Sequence, residues 1–242
     1  MRLLTEIPFQ VDLAGLLSRL HLDPDSEHAP GMRALAEKAN AAARPKAVYD
    51  EIPIDRKFAD GIQVRSVRFT SRAMGFNLKN TTRIYPYICT CGTELDRLPI
   101  PPDDGFGQYG LEVVKEQALF AALTALQGLL KKEYGLDKKA AMNPGSGDRK
   151  LWPIEEQRPL FDLFGDVEAA IGVRLTESFL MLPNKTVSGF FFPTDKAYHN
   201  CQLCRRETCQ NRTAPFAPEL WRKTVDEHGL EISETADEPP AV

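Results

Sequence analysis

The sequence predicts an α+β fold, with a twisted, mainly antiparallel sheet and flanking helices. Helical and strand-like segments follow one another in mixed order with hairpins, which is typical of this class. One helical pattern, residues 109–134, is apolar on most sides, so we expect a central, largely buried helix. With 242 residues and 43% hydrophobic content, the chain is long enough for one good-sized domain or two small ones.

Two helices are predicted at the N-terminal end. The first covers residues 12–21, where leucines recur at helical spacing after Asp12, a favourable N-cap residue. The second covers residues 30–43, which are rich in alanine, and Pro45 ends it. We assign residues 1–45 to an N-terminal helical segment.

The main domain is placed at residues 46–200 and opens with strands. Three segments have strand-like composition: Ala47–Ile54, Ile62–Thr70 and Thr82–Cys91. Residues 98–107 form a loop rich in proline and glycine. The long helix follows this loop and ends at Gly135, a natural C-cap.

The second half begins with a predicted long loop, residues 136–153. A shorter helix starts near Pro153, with two glutamates in its first turn, where the helix dipole favours acids. Further elements are predicted as strands Ser178–Leu182 and Thr186–Phe192, a last helix at residues 216–228, and a disordered acidic tail at residues 231–242.

The composition limits the classes of partner. The formal net charge of −4 gives no overall positive field for nucleic acid. No apolar run has the length of a membrane span, and the N-terminus lacks the apolar stretch of a signal peptide. We therefore expect a cytoplasmic protein with neither a nucleic-acid nor a membrane partner.

Three cysteines lie within nine residues: Cys201, Cys204 and Cys209. A Cys-x-x-Cys turn lets two thiolates converge on one metal, and the four-residue gap lets the chain return with a third. Bare thiolates at this spacing repel one another, which favours a metal or a disulfide. The total of five cysteines is odd and low for a disulfide framework, so we assign residues 201–230 to a metal-binding segment.

Two kinds of metal centre fit this motif. A four-iron four-sulfur cluster needs four ligands, or three with one open iron, and Cys91 is the first choice for the fourth ligand, with Cys89 second. Zinc is the alternative, with His199 completing a Cys₃His set. Incidental free thiols or a single disulfide would need no metal at all.

Three sequence stretches carry a family resemblance. They are Gly172-Val-Arg-Leu-Thr-Glu-Ser-Phe-Leu-Met-Leu-Pro running into Thr186-Val-Ser-Gly-Phe-Phe-Phe, the Pro-Gly loop before Trp152-Pro-Ile-Glu-Glu-Gln, and Thr90-Cys-Gly-Thr-Glu-Leu. Together they resemble the activation domain of cobalamin-dependent methionine synthase, including its stand-alone members, over residues 45–200.

The resemblance implies a helmet-like α+β domain that presents S-adenosylmethionine to cob(II)alamin while a partner delivers an electron. We therefore expect an activation protein that supports reductive activation or methylation of a corrinoid, which a separate corrinoid protein or cobalamin-dependent methyltransferase presents. An electron donor is a further expected partner. The residues expected to face the cofactor are Asn143, Pro144, Gly145, Ser146, Glu177 and Tyr198.

Two positions depart from the family pattern. The family has an arginine that grips the carboxylate of S-adenosylmethionine, and Ala141 stands at that position; Ser146 replaces a tyrosine. A methyl group does not replace a planar bidentate contact, so we expect no S-adenosylmethionine binding in the usual mode. The alternative function is a non-catalytic partner-binding module with a structural zinc site.

Overall fold

The computed structural model describes residues 1–147, 151–195, 198–209 and 212–226. The predicted α+β class is confirmed, because helices flank a main sheet whose paired strands all run antiparallel in the described residues. The main-sheet strands are β1 Arg2–Leu4, β2 Lys46–Tyr49, β3 Ile52–Pro53, β7 Arg83–Thr90, β8 Lys139–Met142 and β11 Thr186–Pro193. Their order in the sheet is β1-β2-β7-β11-β8, and β3 also pairs with β7.

Two smaller sheets and seven α-helices complete the described part of the chain. The remaining strands are β4 Arg56–Phe58, β5 Gly61–Val64, β6 Val67–Thr70, β9 Arg174–Leu175 and β10 Met181–Leu182. The α-helices are α1 Leu13–Arg19, α2 Ala29–Ala42, α3 Arg72–Asn77, α4 Gly105–Tyr134, α5 Gln157–Asp162, α6 Val167–Ile171 and α7 Pro218–Trp221. Short 3₁₀ turns lie at Glu94–Arg97, Ile154–Glu156 and Asn200–Leu203.

The central strands β7 and β11 bury side chains on both faces of the sheet, as strand alternation requires. One face carries Ile84, Ile88, Phe190 and Phe192, and the other carries Tyr85, Tyr87, Cys89 and Phe191. The first face packs against α3, α5, α6 and the C-terminal segment. The second packs against α4. The sheet therefore separates two hydrophobic clusters.

Helix α4 begins at Gly105, before the predicted start at residue 109. The cause is Asp104, whose side chain accepts a 2.8 Å hydrogen bond from the N–H of Gly107 and caps the helix. Gly135 ends the helix with φ of 64°, as predicted. By length and composition α4 could cross a membrane, contrary to the prediction, although core helices of soluble proteins pass the same test. Here its buried side chains pack against the sheet and α2.

Two predicted strands are each divided in the structure. Residues 62–70 form the hairpin β5–β6, because Arg65 adopts a left-handed conformation with φ of 52° at the turn. Residues 47–54 are divided opposite Pro86, which has no N–H to donate to the neighbouring strand. Asp50 still donates its N–H to the carbonyl of Pro86, so the register is kept across the gap.

The second half differs from prediction in three places. Strand β8 lies inside the predicted loop 136–153, and its Ala-rich sequence carries little strand propensity. Helix α6 was not predicted, although Asp166 caps it. The predicted strand Ser178–Leu182 is shortened to β10, which pairs with β9, whereas β11 lies between β7 and β8.

Both ends of the described chain pack onto this domain. Helices α1 and α2 share a cluster with α4. At the other end, Leu203 and Trp221 are buried on the first sheet face. The last predicted helix is present as α7 and a π-helical continuation, Arg222–Asp226, and the predicted disordered tail at residues 231–242 lies outside the described residues.

Gly189 in β11 gives a sharp test of this packing. A Cβ atom at Gly189 would lie 2.3 Å from the carbonyl oxygen of Met142 and 2.5 Å from Nδ2 of Asn143. We expect Gly189→Ala to lower the free energy of unfolding by about 1–3 kcal/mol in urea titrations, since such overpacking shifts the backbone. The matched control is Gly128→Ala in α4, where nothing lies within 4 Å of the added atom. That variant should be stabilised by about 0.5–1 kcal/mol, and equal effects at both glycines would contradict the packing.

Candidate functional site

Asn143 joins the loop that follows β8 to the central strands. Its Nδ2 group donates to the Tyr87 hydroxyl at 2.9 Å and to the Ser188 carbonyl at 2.8 Å. Its Oδ1 atom accepts from Nδ2 of Asn200 at 3.0 Å. The missing side chain of Gly189 leaves room for this amide. One half-buried side chain therefore links the sheet, the predicted cofactor loop and the start of the cysteine motif.

The loop itself, residues 143–147, is a tight turn fixed by its glycines. Gly145 has φ of 73° and donates its N–H to the Trp152 carbonyl at 2.9 Å, while a Cβ atom there would lie 2.5 Å from Cδ1 of Ile154. Gly147 also has a positive φ, 89°. Trp152 is buried, with its ring 4.9 Å from that of Phe190. The Pro-Gly loop and the following Trp-Pro-Ile sequence thus form one structural unit.

Cys201 lies in a 3₁₀ turn beside this loop, and Cys204 directly follows that turn. The turn, Asn200–Leu203, is anchored by Leu203, which is fully buried in the cluster on the first sheet face. The neighbouring residue Gln202 accepts a 2.9 Å hydrogen bond at its carbonyl from the N–H of Ala217. The structure therefore brings Asn143 and the cysteine turn together. Neither the Pro-Gly loop nor the cysteine motif indicates this proximity in the sequence.

The Cys201 thiol lies among hydrogen-bond donors and beside a positive charge. Burial raises its pKa, but hydrogen bonds from the side chain and backbone of Thr213, from the backbone of Ala214, and the charge of Arg212 together lower it below the ordinary value. The Thr213 N–H lies 3.5 Å from the Cys201 Sγ atom. A thiol of lowered pKa is a better nucleophile and metal ligand near neutral pH.

The three C-terminal thiols are all accessible. Cys201 and Cys204 are half-buried and Cys209 is exposed. Among the described residues, no three His, Cys, Asp or Glu side chains are already grouped to hold a metal ion. The donor set suits a thiophilic metal by its chemistry, whereas its thiols do not converge in this structure.

Cys91 does not lie with these cysteines, which corrects the predicted ligand set. It is fully buried in the cluster formed with α1, α2 and α4, whereas Leu203 of the cysteine turn lies in the cluster on the other face of the sheet. Burial, followed by the charge of Asp96, raises the pKa of the Cys91 thiol to about 12. Cys89 is also fully buried, and burial raises its pKa as well. Both are core residues.

The other two predicted site residues, Tyr198 and Glu177, have different surroundings. Tyr198 packs beside Phe192, and its hydroxyl bonds to the side chain of Asn77, which in turn contacts the Met142 sulfur at 3.7 Å. Burial raises the pKa of Tyr198. Glu177 is exposed in the turn between β9 and β10, strands that contribute to a different cleft with Thr93 and Lys115. Glu177 is therefore not brought to the loop.

The positions that depart from the family pattern have local structural roles or none. Ala141 packs against the apolar cluster under α4, and Ser146 is exposed. On α4, Gln117 accepts from the Asp12 N–H at 2.9 Å and donates to the Asp12 carbonyl at 3.1 Å, so it joins α4 to the start of α1. These side chains therefore offer no cationic or bidentate contact to a ligand carboxylate.

Two residues of the site were missed from the sequence, Asn200 and Arg212. Arg212 lies with Cys204, Arg205 and Arg206 around a cavity of about 470 Å³. An asparagine directly before a Cys-x-x-Cys turn, and an arginine three residues after the last cysteine, were the available signals. Neither signal shows which residues Asn200 or Arg212 contacts, because those contacts depend on the fold.

Comparisons with known proteins support the resemblance. Residues 122–214 match the family described as "Vitamin B12 dependent methionine synthase, activation domain". The solved structure "Crystal Structure of the MetH Reactivation Domain bound to AdoHcy" has the same fold, with a TM-score of 0.58 and 17% identity over 84% of this chain and 82% of that chain. A search of curated protein sequences found no match. The predicted resemblance is confirmed, and the role of the cysteine motif stays a prediction.

Proposed function

We propose that this activation-domain fold supports the reductive activation or methylation of a corrinoid held by a separate protein, a corrinoid protein or a cobalamin-dependent methyltransferase. The family match over residues 122–214 supports the corrinoid part of this proposal. The observation that carries the rest is the hydrogen bond between Asn143 and Asn200, which joins the matched loop to a turn that contains Cys201 and is followed by Cys204. The loop and the cysteine turn, which are separate motifs in the sequence, therefore lie next to each other.

The thiols are proposed to hold a four-iron four-sulfur cluster through Cys201, Cys204 and Cys209. With Cys91 buried elsewhere, the fourth iron is left open or takes His199, which precedes the turn and is exposed. Such a cluster supplies one electron at low potential when bound. The chain's own contribution is to hold the segment that carries these thiols at an accessible surface next to the loop.

The charge of this surface suits an acidic partner. Arg205 lies with its guanidinium 4.6 Å from the Trp221 ring centroid, and Arg206 is exposed beside Cys204. Positive charge beside a redox centre favours the approach of an acidic electron donor and orients it. The cavity lined by Cys204 and these arginines is the proposed contact point.

A zinc site is the second candidate, favoured by one observation. The cysteine turn is tied into the core through Leu203 and Gln202, as a structural staple would be. Zinc would fix a partner-binding surface without electron transfer, because it has no accessible redox change.

Metal analysis of anaerobically purified protein distinguishes the two candidates. We expect brown protein with iron and acid-labile sulfide, lost in Cys201→Ser, Cys204→Ser and Cys209→Ser, because these thiolates are the proposed ligands. The same preparation should speed the one-electron reduction of cob(II)alamin to cob(I)alamin by titanium(III) citrate, compared with the Cys204→Ser variant.

The matched control is Cys91→Ala, which should retain iron because Cys91 lies in a separate core cluster. Iodoacetamide should label the C-terminal cysteines only after the metal is removed, and Cys89 and Cys91 in neither state, since both are fully buried. Colourless protein with bound zinc would replace the first candidate by the second. Protein with no metal, or with iron retained in Cys204→Ser, would contradict both ligand assignments.

Calorimetry tests the expected loss of S-adenosylmethionine binding. The related MetH structure has AdoHcy bound, so the fold accepts an adenosyl ligand in that protein. In this chain we expect no specific heat on titration with S-adenosylmethionine, because Ala141 offers only an apolar contact where the family has an arginine. A dissociation constant below about 1 mM would contradict this expectation.

A further inference from the structure

Arg212 contacts the backbone of all three C-terminal cysteines. Its guanidinium donates to the Cys201 carbonyl at 3.2 Å through Nη1 and to the Cys204 carbonyl at 3.3 Å through Nη2. Its backbone N–H donates to the Cys209 carbonyl at 3.2 Å. The same guanidinium also bonds the carbonyls of Ala214 and Arg206. A single residue thus collects the carbonyl oxygens of a segment that otherwise has little regular structure.

The chemistry of arginine suits this role. A guanidinium carries five N–H donors in a rigid plane, so one side chain can bond several carbonyls at fixed angles. Each bond restricts the backbone of one cysteine, and the entropy of ordering the loop is then lost on folding rather than on metal binding. The positive charge also lies among thiols that repel one another once ionised.

We infer that Arg212 is the positioning residue of the cysteine site. Its guanidinium ties the backbone of Cys201 to that of Cys204, and its own N–H ties on Cys209. Less backbone then has to be ordered when a thiophilic metal or cluster draws the thiols together. The inference rests on the proposed metal-binding function of these cysteines. It assigns the ordering of Cys201 and Cys204 to the fork of hydrogen bonds, and not to positive charge in general.

The neighbouring arginines allow this distinction. Arg206 carries the same charge in the same loop, but its side chain is exposed and makes no hydrogen bond or ion pair among the described residues. Arg206→Gln therefore removes one positive charge near the thiols without removing the fork, and serves as the matched control for Arg212→Gln.

The test titrates cobalt(II) into protein prepared without metal. The thiolate-to-cobalt charge-transfer absorbance reports how much cobalt is bound. We expect Arg212→Gln to weaken cobalt affinity about 10- to 100-fold, the range typical of residues that support metal ligands. Arg206→Gln should stay within about twofold of the unchanged chain. Equal loss in both variants, or no loss in Arg212→Gln, would overturn the inference.

Amide hydrogen exchange provides a readout that needs no metal. Exchange at residues 201–209 of the metal-free chain should be faster in Arg212→Gln, while the urea midpoint and the exchange of β7 and β11 stay unchanged. If Arg212→Gln fails to fold, Arg212→Lys replaces it, since lysine keeps the charge and lacks the fork. If the unchanged chain binds no metal, the proposed function fails and exchange alone decides: unchanged protection at residues 201–209 refutes the positioning role.

Discussion

The hydrogen bonds of the Asn143 side chain fix the geometry on which the candidate site depends. One amide donates to the Tyr87 hydroxyl and the Ser188 carbonyl and accepts from Asn200, so it connects two central strands with the cysteine turn. Tyr87 is itself held in place by stacking on Phe191 at 4.3 Å. A half-buried amide that is left without a hydrogen-bond partner destabilises the folded state. This arrangement therefore favours a single placement of the turn against the sheet.

The environment of each cysteine decides what its thiol can do. Cys91 and Cys201 are the same residue type, yet burial raises the pKa of one to about 12, and hydrogen bonds with a nearby guanidinium lower the pKa of the other. Only the second is suited to ligate a metal near neutral pH. Burial in the core, as opposed to a position in the accessible C-terminal segment, thus separates structural cysteines from those with proposed chemistry.

Local signals predicted the parts of the fold that depend on local physics. Asp12 and Gly135 mark helix ends by capping chemistry, and the β-branched and aromatic residues of β7 predict a strand. The elements that were not predicted depend on contacts with residues far away in the sequence. Strand β8 is recruited by pairing with β11 in spite of its alanines, and the hairpin at Arg65 needs a positive φ that its sequence does not signal. The proximity of Cys91 to the C-terminal motif was inferred from residue type, which says nothing about which face of a sheet a side chain occupies.

The central claim is that the loop of Asn143 and the cysteine turn form one energetic unit. A double-mutant cycle with Asn143→Ala, Asn200→Ala and the double variant, read by urea unfolding, measures the coupling directly. The account predicts that the two changes together cost less than their sum, with a coupling of about 0.5–3 kcal/mol, since contacting residues are not additive. Strictly additive costs would show that the two segments are held independently and would contradict the account.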